Sequence, residues 1–115
     1  MIQEGRIVLF KFPQTDQPSG KLLPALVLRK LPGRFDDWLI CMISSQLSQQ
    51  LENFDVIVGE DDADFETSGL KTDRVISVSR LAVVSSAILL GSIGTISEDR
   101  LSLIRNRIVK WIQGA

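Results

Sequence analysis

The chain has no histidine and a single cysteine. The first absence excludes a His-paired nuclease, a Ser-His-Asp triad and any His-ligated zinc site. The lone Cys41 can build neither an internal disulfide nor a Cys-rich metal site, and it fits a reducing, cytoplasmic compartment. Nowhere do apolar residues run uninterrupted for the ~20 positions a membrane-spanning helix needs. The opening MIQEGRIVLFKF lacks the basic head, long apolar run and small-residue cleavage site of a signal peptide. Glycine-rich phosphate cradles are missing as well, since GRF and GSIG have neither P-loop nor dinucleotide-binding spacing. Any chemistry must therefore come from Arg, Lys, Asp, Glu, Ser, Thr or backbone groups.

What is present describes one domain, residues 1–115, with 44% hydrophobic and 23% charged residues. The net charge is −1, but it is unevenly spread. Residues 1–34 carry Arg6, Lys11, Lys21, Arg29, Lys30 and Arg34 against only Glu4 and Asp16. Residues 52–73 carry eight acids against Lys71. A basic face and an acidic loop can share one small domain. The acidic run lacks the Asp/Asn-Gly spacing of a calcium loop and reads as a solvated surface loop.

Gly5 to Phe12 is β-branched and aromatic and is stopped by Pro13, which predicts a first strand. PQTDQPSGK is a long polar turn segment. Pro24 lacks a backbone N–H, so the second strand is expected to begin there and run through Leu28. Trp38 to Ser44 predicts a buried third strand, SQLSQQLENF a short helical turn, and Asp55 to Val58 a fourth strand. Arg74 to Leu81 alternates, with Val75, Ser77 and Ser79 on one face and Ile76, Val78 and Arg80 on the other. Ile88 to Ile96, with Gly91 and Gly94, reads as a short bent strand or loop. Ser97 is a good N-cap, Glu98 and Asp99 suit a helix start, and Gly114 a helix stop. Between them Leu101, Ile104, Ile108 and Trp111-Ile112 recur at helical spacing, with Arg100, Arg105, Arg107 and Lys110 off the stripe. The pattern predicts an α+β domain: a small curled barrel of five to seven strands with a C-terminal amphipathic helix.

Two features could carry chemistry. In ISSQ, Ile43 to Gln46, serines close a strand where it emerges into solvent; their hydroxyls can cap the next turn or bind a phosphate. Arg80 ends a strand on an otherwise apolar face, where an arginine snorkels to solvent, pairs with a carboxylate or meets a ligand.

The order of segments resembles the MazF/PemK (Kid-like) family of toxin ribonucleases. The resemblance rests on GRIVLFKFPQTD, on LPALVL where the family has Arg-Pro-Ala-Leu-Val-Leu, on ISSQ, on SGL ahead of the fifth strand, and on the Ser-initiated last helix. It covers about Gly5 to Ile112 and implies an SH3-like, CcdB-type barrel that forms a two-fold dimer. It further implies metal-free and cofactor-free cleavage of single-stranded RNA, with the RNA's own 2′-hydroxyl as nucleophile, and a cognate antitoxin that blocks the groove. Residue by residue, the family's Ser/Thr maps onto Ser44, with Ser45 adjacent, and its catalytic arginine maps onto Leu23. Lys11, Lys21, Arg29, Arg80 and Gln46 are the matching candidates for RNA contact.

Leucine at position 23 supplies neither charge nor hydrogen-bond donor. Three readings follow: an inactivating substitution, a relative with altered or no nuclease activity, or another cation (Lys21, Arg29, Arg74 or Arg80) in the arginine's place. Among these cations Arg80 is the leading candidate. The competing functional readings are a non-catalytic barrel that holds RNA, a peptide or an antitoxin, and a gyrase-directed toxin.

Overall fold

A computed structural model describes residues 2–11 and 22–114. Six strands form one antiparallel sheet: β1 Arg6–Lys11, β2 Leu22–Lys30, β3 Asp37–Ser44, β4 Val56–Val58, β5 Arg74–Ser85 and β6 Leu89–Thr95. Their order is β4-β5-β3-β2-β1-β6, so β4 and β6 are edges and the sheet is not closed among the described residues. A one-turn helix, α1 Phe65–Ser68, precedes β5, and the long helix α2 Glu98–Gln113 ends the chain. The α+β class, the strand number and the C-terminal helix match the sequence expectation. Among the described residues no helix is long and apolar enough to cross a membrane.

Alternation along the central strands divides the core in two. Ile7, Leu26, Leu28, Cys41, Ile43, Ile76 and Val78 bury one face beneath Leu101, Ile104 and Ile108 of α2. Val8, Phe10, Ala25, Val27, Trp38 and Ile40 bury the other, where Ala82, Val84 and Leu89 from the far ends of β5 and β6 pack onto them. Both faces of β1–β3 are therefore covered, as in a curled, barrel-like sheet.

The helix forms as its sequence dictates. The Ser97 hydroxyl accepts the Arg100 N–H at 3.2 Å. Gly114 closes the helix in the left-handed conformation at φ 77°. The apolar stripe leaves the core after Ile108, however: Trp111 and Ile112 are exposed, with the Trp111 ring tilted against Phe54.

Three local expectations are corrected. Strand β2 begins at Leu22, two residues before Pro24. The proline is accommodated because it is paired on one side only, opposite Leu9 of β1, while the β3 ladder starts at Ala25. Strand β5 runs on to Ser85, and its alternation breaks: Ser77 faces Met42 whereas Leu81 faces the adjacent Cys41. Three residues, Val78, Ser79 and Arg80, form a bulge there. Arg80 consequently lies mid-strand and exposed instead of ending an apolar face.

The acidic segment, finally, is more than a solvated loop. Asp64 is buried and takes a forked pair of hydrogen bonds from Arg100 Nε and Nη2, at 2.8 and 2.9 Å. It also accepts the Ser97 N–H, which locks the loop onto the start of α2. Its neighbour α1 packs tightly on β6, where a Cβ on Gly69 (φ 76°) would fall 2.1 Å from the Ile93 carbonyl oxygen.

Candidate functional site

The antiparallel register that pairs Ala25 with Met42 places the start of β2 beside the end of β3. The register that pairs Ser44 with Val75 adds the start of β5. Three neighbouring strands thus open at one end of the sheet. A cleft of about 370 Å³ lies across that end, lined by residues 22–24 of β2, residues 43–46 at and beyond the end of β3, and Arg74 of β5. Its floor is apolar (Leu22, Leu23, Pro24 and Ile43), its wall carries two hydroxyls and one amide, and its only charge among the described residues is the Arg74 guanidinium.

Each polar group is held by local structure. Ser44 is half-buried, and its hydroxyl oxygen accepts the Gln46 N–H at 3.0 Å, which turns the chain sharply as it leaves the strand. Among the described residues the hydroxyl proton has no acceptor, which leaves it for a ligand. Ser45 and Gln46 are exposed. Arg74 Nη1 donates to the Thr72 hydroxyl and, at 3.2 Å, to the Asp73 carbonyl. The Asp73 carboxylate is turned away, accepting the Glu60 N–H at 2.8 Å. Among the described residues no carboxylate pairs with Arg74, in contrast to Arg100, Arg105 and Lys30.

Of the residues singled out in the sequence, Leu23, Ser44, Ser45 and Gln46 come together in this cleft. Lys11 stands at its margin, opposite Leu22 on the neighbouring strand. Arg29 is six residues from Leu23 along β2, roughly 20 Å away at the usual strand rise. Arg80 sits in the β5 bulge and does not line the cleft. Lys21 lies outside the described residues. Arg74 was only one of four candidate cations in the sequence, yet among the described residues it alone lines the cleft. The signal that singles it out is nonlocal, the Ser44–Val75 pairing that carries its neighbour to the end of β3.

The remaining clefts have different characters. One of them, largely apolar and about 510 Å³, lies between Leu51, Phe54, Val78, Leu81 and Trp111. Among the described residues no cluster of three or more His, Cys, Asp or Glu side chains is disposed to hold a metal ion. Burial pushes the Cys41 thiol far above its ordinary pKa, so it is inert as a nucleophile at neutral pH.

A solved structure of Mycobacterium tuberculosis toxin MazF-mt6 superposes with a TM-score of 0.67 over 94% of this chain and 96% of that one, at 15% identity. At that identity the likeness speaks for the fold alone. No curated protein matches the sequence. The family model described as PemK-like, MazF-like toxin of type II toxin-antitoxin system matches residues 3–112.

Proposed function

The chain belongs to the PemK-like, MazF-like toxin family of type II toxin–antitoxin systems, and we propose that it is a metal-independent endoribonuclease of that kind, acting on single-stranded RNA, whose cleavage centre is impaired by Leu23. The observation that carries the proposal is the single cleft in which the position of the family's arginine, Leu23, meets Ser44 and Ser45.

In the proposed reaction the RNA 2′-hydroxyl loses its proton and attacks the adjacent phosphorus. The bond to the 5′-oxygen breaks, that oxygen gains a proton, and a cyclic phosphate and a 5′-hydroxyl remain. Neither histidine nor metal is obligatory for this step. It needs a donor that stabilises charge on the non-bridging oxygens and a hydroxyl that orients one of them, the role proposed for Ser44. An arginine at position 23 would supply the missing charge. Losing one preorganised donor lowers the rate on the order of 10²–10³. The same reading makes the chain a cytoplasmic homodimer whose groove is covered by a cognate antitoxin.

Leu23→Arg tests the proposal. Expression of this variant should arrest growth, and primer extension on RNA incubated with it in EDTA should reveal discrete cuts that the unaltered chain makes far more slowly. A folded Leu23→Arg protein that is harmless and inert toward varied RNAs would overturn the reading and favour a non-catalytic binding barrel.

A further inference from the structure

Among the described residues Arg74 is the one cation that lines this cleft, and it combines three properties. It is half-buried, no carboxylate neutralises it among the described residues, and its orientation is fixed from one side. The two hydrogen bonds made by Nη1, to Thr72 and to the Asp73 carbonyl, occupy one arm of the guanidinium. The Nε–Nη2 edge, the one that matches a phosphate or carboxylate in a two-pronged fashion, has no partner among the described residues. The nearest acid in sequence, Asp73, has its carboxylate committed to the Glu60 N–H. A partly desolvated cation without a counter-charge favours an anion, and the wall beside it offers the hydroxyls of Ser44 and Ser45.

We infer that the Nε–Nη2 edge of Arg74 anchors a backbone phosphate of single-stranded RNA in this cleft, so that the chain retains substrate binding although Leu23 has removed the charge needed for cleavage. The inference rests on the RNA-directed reading above and adds a residue to it. Ser44 and Ser45 complete the phosphate's hydrogen bonding, and the apolar floor at Leu23 and Ile43 receives the flanking base or ribose. Arg74 enters from β5, whereas position 23 lies on β2. Charge for binding and charge for cleavage thus come from opposite sides of Ser44.

The test is binding of a short, labelled, mixed-sequence single-stranded oligoribonucleotide, measured by fluorescence anisotropy across a salt series. Arg74→Gln should weaken binding about tenfold and reduce the slope of log K against log salt by about one phosphate. Arg74→Lys should keep the slope while losing part of the affinity, because the charge stays and the fork does not. Arg34→Gln, which removes the same charge from the β2–β3 loop, should change neither quantity. An Arg74→Gln protein with unchanged affinity and slope would overturn the inference, as would an unaltered chain that binds no RNA at low salt. Should Arg74→Gln fail to fold, an Arg74→Lys protein with full affinity would overturn it. The two proposals fail separately: cleavage by Leu23→Arg that survives Arg74→Gln undiminished removes only the anchor. An inert Leu23→Arg protein that still binds RNA through Arg74 removes only the nuclease reading.

Discussion

Asp55 Oδ1 accepts the backbone N–H of Ser79 at 3.0 Å and the Ser79 hydroxyl at 3.1 Å, across 24 residues of chain. Its other oxygen accepts the Leu51 N–H at 3.0 Å. One buried carboxylate therefore satisfies the backbone of the β5 bulge and the turn before β4 together. The carbonyls of Phe54 and Asp55 are in turn held by Arg107 Nη1. Without these partners the bulge and the turn would leave partly buried donors unpaired.

Asp55→Ala should accordingly destabilise the protein by about 2 kcal/mol, since three partly buried donors lose their acceptor and each such hydrogen bond is worth ~0.5–1.5 kcal/mol. Asp55→Asn should recover only part of this: its carbonyl oxygen can serve one site, but its NH2 would face a donor at the other. Thermal melts check both variants, with Asp55→Ala lowest. Equal melting for Asp55→Ala and the unaltered chain would mean the bulge is held by packing alone.

Gly94 tests the seam between α1 and β6. A Cβ there would lie 2.3 Å from both the Ser68 and Thr67 carbonyl oxygens. The obstacles are backbone atoms, which cannot rotate aside, so Gly94→Ala should cost more than ~2 kcal/mol and lower the urea midpoint. Gly91→Ala, in open space on the same strand, is the control and should fold like the parent.

The pH dependence follows from Asp64. Its hydrogen bonds from Arg100, reinforced by the Ser97 N–H, push its pKa down to about 2 despite burial. A carboxylate depressed in the folded state stabilises fully above its unfolded pKa, ~3.9, and loses that contribution as pH falls toward the folded value. Urea unfolding should show a loss on the order of 2 kcal/mol from this group between about pH 5 and pH 2. In Arg100→Gln that portion of the acid slope should shrink, with lower stability already at neutral pH. An unchanged slope would assign the acid sensitivity to other carboxylates.

The parts of this fold that were legible in the sequence are those whose cause is local. The Ser97 cap, the Gly114 stop and the stripe Leu101, Ile104, Ile108 all act within one helix. Leu23 joins Ser44 and Ser45 only through the resemblance to the toxin family; local pattern marks no more than the proline after Leu23 and the polar break at Ser44 to Gln46. What escaped depends on partners far along the chain. Asp64 looks like any acid in an acidic run until Arg100 arrives from 36 residues away. Arg80 was placed on the apolar face because strict alternation was extended through Ser79, and a three-residue bulge reverses that parity. Arg74 drew less notice because nothing around it in sequence reveals that β3 ends beside β5.

Ser44 is where a structural and a catalytic role can be separated. Its hydroxyl oxygen already accepts the Gln46 N–H, so Ser44→Ala should cost about 1 kcal/mol whether or not RNA is ever bound. A turn-capping role alone predicts that loss and nothing more. If the hydroxyl proton also orients a phosphate oxygen, Ser44→Ala in the Leu23→Arg background should reduce cleavage by on the order of 10² at a temperature where both proteins are fully folded. Ser44→Thr keeps a hydroxyl on the same carbon and should restore most of both properties. Single-turnover cleavage, read beside the melting temperature of each variant, decides the matter. A loss of stability without a loss of rate would leave Ser44 as a strand-end cap and move the search for the orienting hydroxyl to Ser45.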